Sequence, residues 1–332
     1  MLNTRAAAIS SASRAARRIS VIVPTCDRPG MLRQALASIR AIEANDLSFE
    51  ILVADNGEGD AARAIAEAFD AIYLRSEARG AGAARNVALR AASGEYIAFL
   101  DDDDAWLAGN IRPQLALLDQ RPDLDAVVGQ VIYADPDLRP YGEPYPPLNQ
   151  GEGEDLLRRM LGEWFPQIGS TVARASVREL VGEFDEALLG GQDQDWLLRI
   201  ARKRKLAFCE VSSLLFRGRP PGSFDELSRS RIKYGRRIFF RHALAEWKIW
   251  RSPSDFMRAY ARALSHFYYY FAEAAEDRAS RGDRAAALRA ALQASVLIPG
   301  RAARHITEDS PLRRSLASVF GRREPATEEI SS

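Results

Sequence analysis

Asp101, Asp102, Asp103 and Asp104 stand side by side, directly after the five-residue apolar run 96–100. Adjacent carboxylates repel one another unless a cation or a hydrogen-bond donor intervenes. On an extended backbone Asp101 and Asp103 share one face, and Asp102 and Asp104 the other. Two carboxylates on one face suit a divalent ion of the Mg2+ class. Such an ion takes one or two of them and fills its shell with water and substrate phosphate oxygens. The plain alternative is a solvated loop in which Asp104 caps a helix starting near Trp106. A second acidic set, Asp193 and Asp195, lies in Gly-Gly-Gln-Asp-Gln-Asp-Trp (190–196), ahead of an amphipathic run. Asp193 there either caps the helix or serves as a general base.

Two further groups could meet a charged ligand. Arg-Gly-Ala-Gly-Ala-Ala-Arg-Asn (79–86) opens a helix. Gly82 lets backbone approach a phosphate, the helix N-terminus offers free N–H groups, and Arg79 and Arg85 can clamp a diphosphate. It is not the dinucleotide fingerprint, because Arg85 stands where the third glycine belongs. Asp55 ends an apolar run and either accepts hydrogen bonds from a base or ribose, or closes an Asx turn with Gly57.

These residues need strands whose carboxyl ends lie together. Residues 96–100 are short, apolar and preceded by Ser93-Gly94, the pattern of a buried strand. Runs 19–23, 49–54, 71–74, 126–133, 164–174 and 206–211 read likewise as strands. Helical spacing marks 29–39, 61–69, 79–90, 106–119 and 193–203. The βαβαβαβ alternation up to residue 100 predicts an α/β fold with a mostly parallel sheet and helices on both faces. Ligands in such folds sit at the carboxyl ends of the strands. Residues 134–153 are rich in Pro, Gly and Asp and read as a long loop.

The 332 residues are 47% hydrophobic and 27% charged, a globular composition. The net charge of +1 gives no global field for nucleic acid. Cys26 and Cys209 form no disulfide framework or zinc spacing, which points to a reducing, cytoplasmic compartment. No apolar stretch approaches the roughly 18 residues of a membrane span. Residues 1–18 read as a disordered basic tail, and a domain boundary is expected near 225. Beyond it, residues 226–250, 254–279 and 283–297 are helical, and the chain past Pro299 reads as frayed. Residues 231–251 mix seven arginines and lysines with Phe239, Phe240, Leu244, Trp247 and Trp250. A basic amphipathic helix of this kind either lies on an anionic membrane surface, offering Trp247 and Trp250, or packs on the preceding domain.

Taken together the motifs resemble, in order, those of the family 2 glycosyltransferases of the GT-A fold. They are Val-Ile-Val-Pro-Thr-Cys-Asp-Arg-Pro (21–29), Val-Ala-Asp-Asn-Gly (53–57), the 79–86 segment, Phe-Leu-Asp-Asp-Asp-Asp (99–104), residues 168–174 with 181–186, and Gln-Asp-Gln-Asp-Trp-Leu-Leu-Arg (192–199). The resemblance spans about residues 19–225. It implies a nucleotide-diphosphate sugar donor, UDP-type, bound by Pro24, Thr25, Arg28, Asp55, Asn56, Gly82, Arg85, Asp101 and Asp102. It further implies Mn2+ or Mg2+ on Asp103 with support from Asp101, and Asp193 as base in an inverting transfer to a carbohydrate or lipid-linked acceptor. The segment 134–165 is then expected to select the acceptor. Gln192 departs from the family, which usually has Glu there. A sugar-1-phosphate nucleotidyltransferase would need a Gly-rich loop after the first strand, where this chain has Pro-Thr-Cys-Asp-Arg-Pro. A non-catalytic sugar-binding module would tolerate loss of Asp103 or Asp193, and both are present.

Overall fold

The computed structural model describes residues 16–42, 46–218 and 227–320. The chain divides into two compact units. The first holds the chain up to Gly153, then Pro166–Ala187 and Gln192–Arg217. The second holds Glu154–Phe165, Leu188–Gly191 and the chain from Gly218. The second unit therefore draws in two segments that the sequence pattern assigns to the first.

The first unit is built on β1 (Arg17–Thr25), α1 (Pro29–Arg40), β2 (Leu47–Asp55), α2 (Ala61–Ala68), β3 (Ile72–Arg75), α3 (Ala81–Ala91) and β4 (Tyr96–Phe99). These strands are parallel, in the order β3-β2-β1-β4. Ile19, Val21, Ile22 and Val23 of β1 are fully buried, as expected of a central strand covered on both faces. Leu32, Ala35, Leu36 and Ile39 of α1 recur at helical spacing and pack into the same core.

The second half of the sheet is mixed. It adds β5 (Ala105–Trp106), α4 (Ile111–Gln120) and β6 (Ala126–Ala134). After α5 (Gly153–Gly162), which belongs mainly to the second unit, come β7 (Thr171–Arg174), α6 (Val177–Val181), α7 (Gln192–Arg202) and β8 (Leu206–Arg217). The sheet continues β4-β7-β6-β8-β5, with β7 antiparallel to both neighbours.

Several sequence expectations are corrected. Trp106 does not start a helix: β5 pairs with Leu214 and Leu215, and the Trp106 indole donates to Gly169 O at 2.9 Å. The expected strand 164–174 shrinks to β7, because Ile168–Ser170 coil into a 3-10 turn. β8 runs on to Arg217, accommodated by a register shift against β6 at Gln130. The segment 134–165 contains α5, and its loop is tied to β6 by reciprocal backbone hydrogen bonds between Val131 and Tyr145. Residues 1–15 lie outside the described residues, but Arg17 and Arg18 belong to β1 rather than to a tail. The boundary expected near 225 also falls outside the described residues.

The second unit is helical: α8 (Leu227–Ala245), α9 (Pro253–Ala263), α10 (Ser265–Ser280), α11 (Arg284–Leu297), α12 (Pro299–Thr307) and α13 (Pro311–Phe320) join α5. The single helix expected over 254–279 breaks at Leu264. Residues 300–320 are not frayed, since Ala302 and Leu312 are buried among Tyr268, Phe271 and the alanine face of α11, and residues 321–332 lie outside the described residues. Trp250 is buried too, its indole donating to Ala243 O at 2.9 Å, so it is not available to a membrane.

Candidate active site

Parallel pairing sets Thr25 opposite Asp55 and Ile22 opposite Phe99. The loops after β1, β2 and β4 therefore emerge at one edge, and the aspartate block leaves there. Asp101 to Asp104 close a turn in which Asp104 N donates to Asp101 O at 3.1 Å. The alternation expected of the block survives. Asp102 and Asp104 are buried, whereas Asp101 and Asp103 keep 32% and 25% of their side chains open.

Each carboxylate has a donor. The Thr25 hydroxyl donates to Asp102 Oδ2 at 2.7 Å. Arg28 reaches Asp102 at 2.5 Å and Asp103 at 2.6 Å. Arg85, almost fully buried, pairs with Asp101. Asp104 accepts from the backbone N–H of Arg217 at 2.9 Å, so it does not cap a helix. Two guanidinium groups, Arg28 and Arg85, thus pair with three of the four carboxylates, and Asp104 is met by a backbone N–H. Burial pushes Asp102 up to about 7, against the downward pull of Arg28 and Thr25. Burial also holds Asp104 well above the ordinary carboxylate range, with Asp103 and Asp101 adding repulsion. Desolvation raises Asp101 despite Arg85, helped by the charges of Asp103 and Asp193.

α3 begins after Gly80, whose φ of 100° lies in the left-handed region that glycine tolerates. No side chain caps this end, so its first N–H groups stay free for a ligand. Gly82 packs against α7: a Cβ there would stand 3.3 Å from Gln192 Cγ. Arg85 lies one turn further on the same face, its guanidinium 5.7 Å from the Phe184 ring. Its Nε and Nη1 have no partner among the described residues, nor has the buried Oε1 of Gln192. Burial pulls the Arg85 pKa down, but Asp101, Asp193 and Asp103 outweigh it. The charge of Asp193 is therefore felt by both Arg85 and Asp101. Asp193 Oδ1 accepts from the adjacent Gln194 N, at 2.9 Å. Asp195 is buried and paired with Arg199 Nε at 3.0 Å, one turn along α7.

Asp55 makes the Asx turn, accepting from Gly57 N at 2.8 Å, while Oδ2 accepts from Tyr73 OH at 3.1 Å. Asn56 donates to Gly80 O at 3.0 Å and so fixes the entry to α3. The loop after Pro24 packs on this turn, with Asn56 N donating to Thr25 O and Glu58 N to Asp27 Oδ1. Pro24, Thr25, Arg28, Asp101, Asp102 and Asp103 come together, with Asp55 and Asn56 beside them.

The donor set fits a divalent ion of the Mg2+ or Mn2+ kind. Asp101 and Asp103 are hard oxygen donors, partly open, and each has one oxygen not engaged by its arginine. Among the described residues no cluster of three or more His, Cys, Asp or Glu could hold a metal by itself. Such a site would rely on water and ligand phosphates for the rest of its shell.

Two supports escape sequence reasoning. Arg217, at the end of β8, donates to Asp103 O, Pro136 O and, at 2.7 Å, Gln34 Oε1, clamping the aspartate turn from behind. A lone arginine after Leu-Leu-Phe carries no signal of this. Asn86 donates to Phe184 O at 3.0 Å and accepts from Phe184 N at 2.8 Å. That pins the 182–186 turn to α3, where Phe184 stacks on Trp196 at 5.0 Å and Phe99 meets both rings edge-on. The aromatic trio gives Arg85 and the start of α7 a rigid seat.

A mixed α/β sheet with an acidic turn at its carboxyl edge is the architecture of the GT-A fold. Residues 20–177, just under half of the chain, match the family model described as glycosyl transferase family 2. It is 26% identical over 238 residues to an uncharacterized glycosyltransferase of Methanocaldococcus jannaschii, covering 69% of this chain and 79% of that one. It is 32% identical over 104 residues to the Escherichia coli UDP-Glc:alpha-D-GlcNAc-diphosphoundecaprenol beta-1,3-glucosyltransferase, covering 30% of this chain and 40% of the relative, less than half its length. The S. aureus TarS 1–349 structure in complex with UDP-GlcNAc shares the fold, with a TM-score of 0.52 at 14% identity over 84% of this chain and 91% of that one.

Proposed function

We propose that the chain is a metal-dependent, inverting glycosyltransferase that moves a sugar from a UDP-type donor to a hydroxyl of a carbohydrate or lipid-linked acceptor. The observation that carries this reading is two partly open carboxylates, Asp101 and Asp103, beside the buried Arg85, whose Nε and Nη1 have no partner among the described residues, with the start of α7 that bears Asp193 packed on Gly82 of α3. The donor class is supported by the UDP-GlcNAc bound to TarS, and the acceptor class by the diphosphoundecaprenol in the name of the E. coli relative.

Asp55, Asn56, Pro24 and Thr25 form the base and ribose end, with Asp102 behind them. Arg28, Arg85 and the free N–H groups of α3 face the diphosphate. Asp103, with Asp101, would hold Mn2+ or Mg2+, which when bound neutralises charge on the diphosphate. Asp193 takes the proton of the acceptor hydroxyl as its oxygen attacks the anomeric carbon. The anomeric C–O bond to the diphosphate breaks with its electron pair staying on the phosphate oxygen, whose growing charge Arg85 stabilises. A single displacement inverts the configuration. Segment 134–165 selects the acceptor. A cytoplasmic location suits the free thiols of Cys26 and Cys209.

The test is a donor screen by thermal shift with and without Mn2+, followed by transfer assays on the donors that stabilise the chain. UDP-sugars that raise Tm only with metal, and yield an inverted glycoside, support the reading. Metal-independent transfer, or a retained anomer, defeats it.

A further inference from the structure

The outer face of α8 carries a composition that packing inside its own unit does not require. Lys233, Arg236, Arg237, Phe240 and Leu244 share one side of the helix at spacings of three and four. All five are exposed, Phe240 at 39% and Leu244 at 54%. The apolar line continues onto Trp247, 49% exposed, in the 3-10 turn Trp247–Ile249, beside exposed Lys248. The opposite side of α8 supplies Ile238, Phe239, His242 and Ala243, all buried. Helix stability therefore comes from the inner face, and the outer residues are not needed to hold it.

The exposed aromatics are held from beneath. Phe240 lies 5.1 Å from Tyr260, and Trp247 lies 5.3 Å from the buried Phe256. Large apolar groups fixed in the open lose little entropy on docking. The face holds no Asp or Glu at 233, 236, 237, 240, 244, 247 or 248. Lys233, Arg236, Arg237 and Lys248 make no ion pair among the described residues, so their charge is available. Protein–protein interfaces are enriched in aromatics but depleted in lysine. Lysine and arginine mixed with Trp, Phe and Leu on one helix face mark binding in the headgroup region of a bilayer. Among the described residues no helix is long and apolar enough to cross a membrane.

We propose that this face of α8, with Trp247, docks the protein on an anionic lipid surface: Phe240, Leu244 and Trp247 enter the headgroup boundary while Lys233, Arg236, Arg237 and Lys248 meet lipid phosphates. The proposal does not rest on the transfer chemistry, because binding is measured without donor or acceptor.

The full chain is sedimented with vesicles of phosphatidylglycerol and phosphatidylcholine, and with phosphatidylcholine alone, at low and at high salt. Binding to the anionic vesicles at low salt, weakened by salt, with a blue shift of tryptophan emission, is expected. Combined Lys233→Glu, Arg236→Glu and Arg237→Glu should lower the partition coefficient at least ~10-fold, since one basic residue near an anionic surface is worth roughly a factor of five. Leu244→Ser with Trp247→Ser should abolish the blue shift while circular dichroism stays unchanged. No sedimentation with anionic vesicles at low salt overturns the proposal, as does binding that neither set alters. A concentration-dependent dimer lost in Leu244→Ser/Trp247→Ser, without vesicle binding, assigns the face to self-association and overturns it too.

Discussion

Thr25 and Asp102, 77 positions apart in sequence, meet at 2.7 Å with the Asp102 side chain wholly shielded from solvent. One threonine hydroxyl and one shared guanidinium do not offset that burial, and Asp102 titrates at about 7 rather than near its ordinary 3.8. The folded protein binds this proton more tightly than the unfolded chain. The stability it contributes is complete below about pH 4 and is lost as pH rises through about 7. Wild type should therefore lose Tm relative to Asp102→Asn between about pH 4 and pH 7. Mn2+ should reduce the loss, by adding positive charge beside the turn. A difference between the two proteins that stays flat across that range would show that Asp102 does not titrate there.

Asp103 is the more open of the two carboxylates that Arg28 contacts. Asp103→Asn should remove nearly all transfer and weaken Mn2+ binding in titration calorimetry, because the diphosphate loses its counter-charge. EDTA should do the same to wild type, reversibly. Full transfer in EDTA, with no bound metal by elemental analysis, rejects the metal-dependent mechanism.

Asp193 and Asp195 separate by environment. Asp193→Asn should slow the chemical step by roughly 10²–10⁴-fold, the range for loss of a general base, with donor affinity and Tm little changed. Asp195 is locked to Arg199, which itself donates to Val181 O and to Glu183 O. Asp195→Asn should instead lower stability, because it leaves the Arg199 guanidinium without its buried counter-charge. Single-turnover rates and denaturant midpoints on both variants decide the matter. An inactive, stable Asp195→Asn beside an active Asp193→Asn moves the base two positions along α7.

Gln192 is buried beside Asp193 and adds no charge there. Gln192→Glu places a second carboxylate next to the proposed base, and like-charge repulsion raises the base's pKa. The acidic limb of kcat/KM should shift to higher pH in the variant, so wild type keeps its activity to lower pH. A limb that does not move would mean that the introduced carboxylate pairs with Arg85 and leaves Asp193 unaffected.

The local patterns were sufficient for the parallel half of the fold. Apolar runs at 19–23, 49–54 and 96–100, each ending in polar residues, are read from neighbours in sequence, and β1, β2 and β4 form where they stand. The open and buried aspartates alternate, but in a turn rather than on an extended strand, so contacts such as Thr25 with Asp102 and Arg217 N with Asp104 set that pattern. What sequence did not determine depends on distant partners. Trp106 joins a strand because Leu214 and Leu215 lie alongside it, and Asp104 turns inward because Arg217 N is there to meet it. Asp55 spends one oxygen on Gly57 and the other on Tyr73, 18 residues away. α12 and α13 form from polar-looking sequence because Ala302 and Leu312 find buried partners on α10 and α11. Hydrogen-bond saturation and burial are properties of the packed chain, so only the tertiary structure decides which of several locally allowed conformations each of these residues adopts.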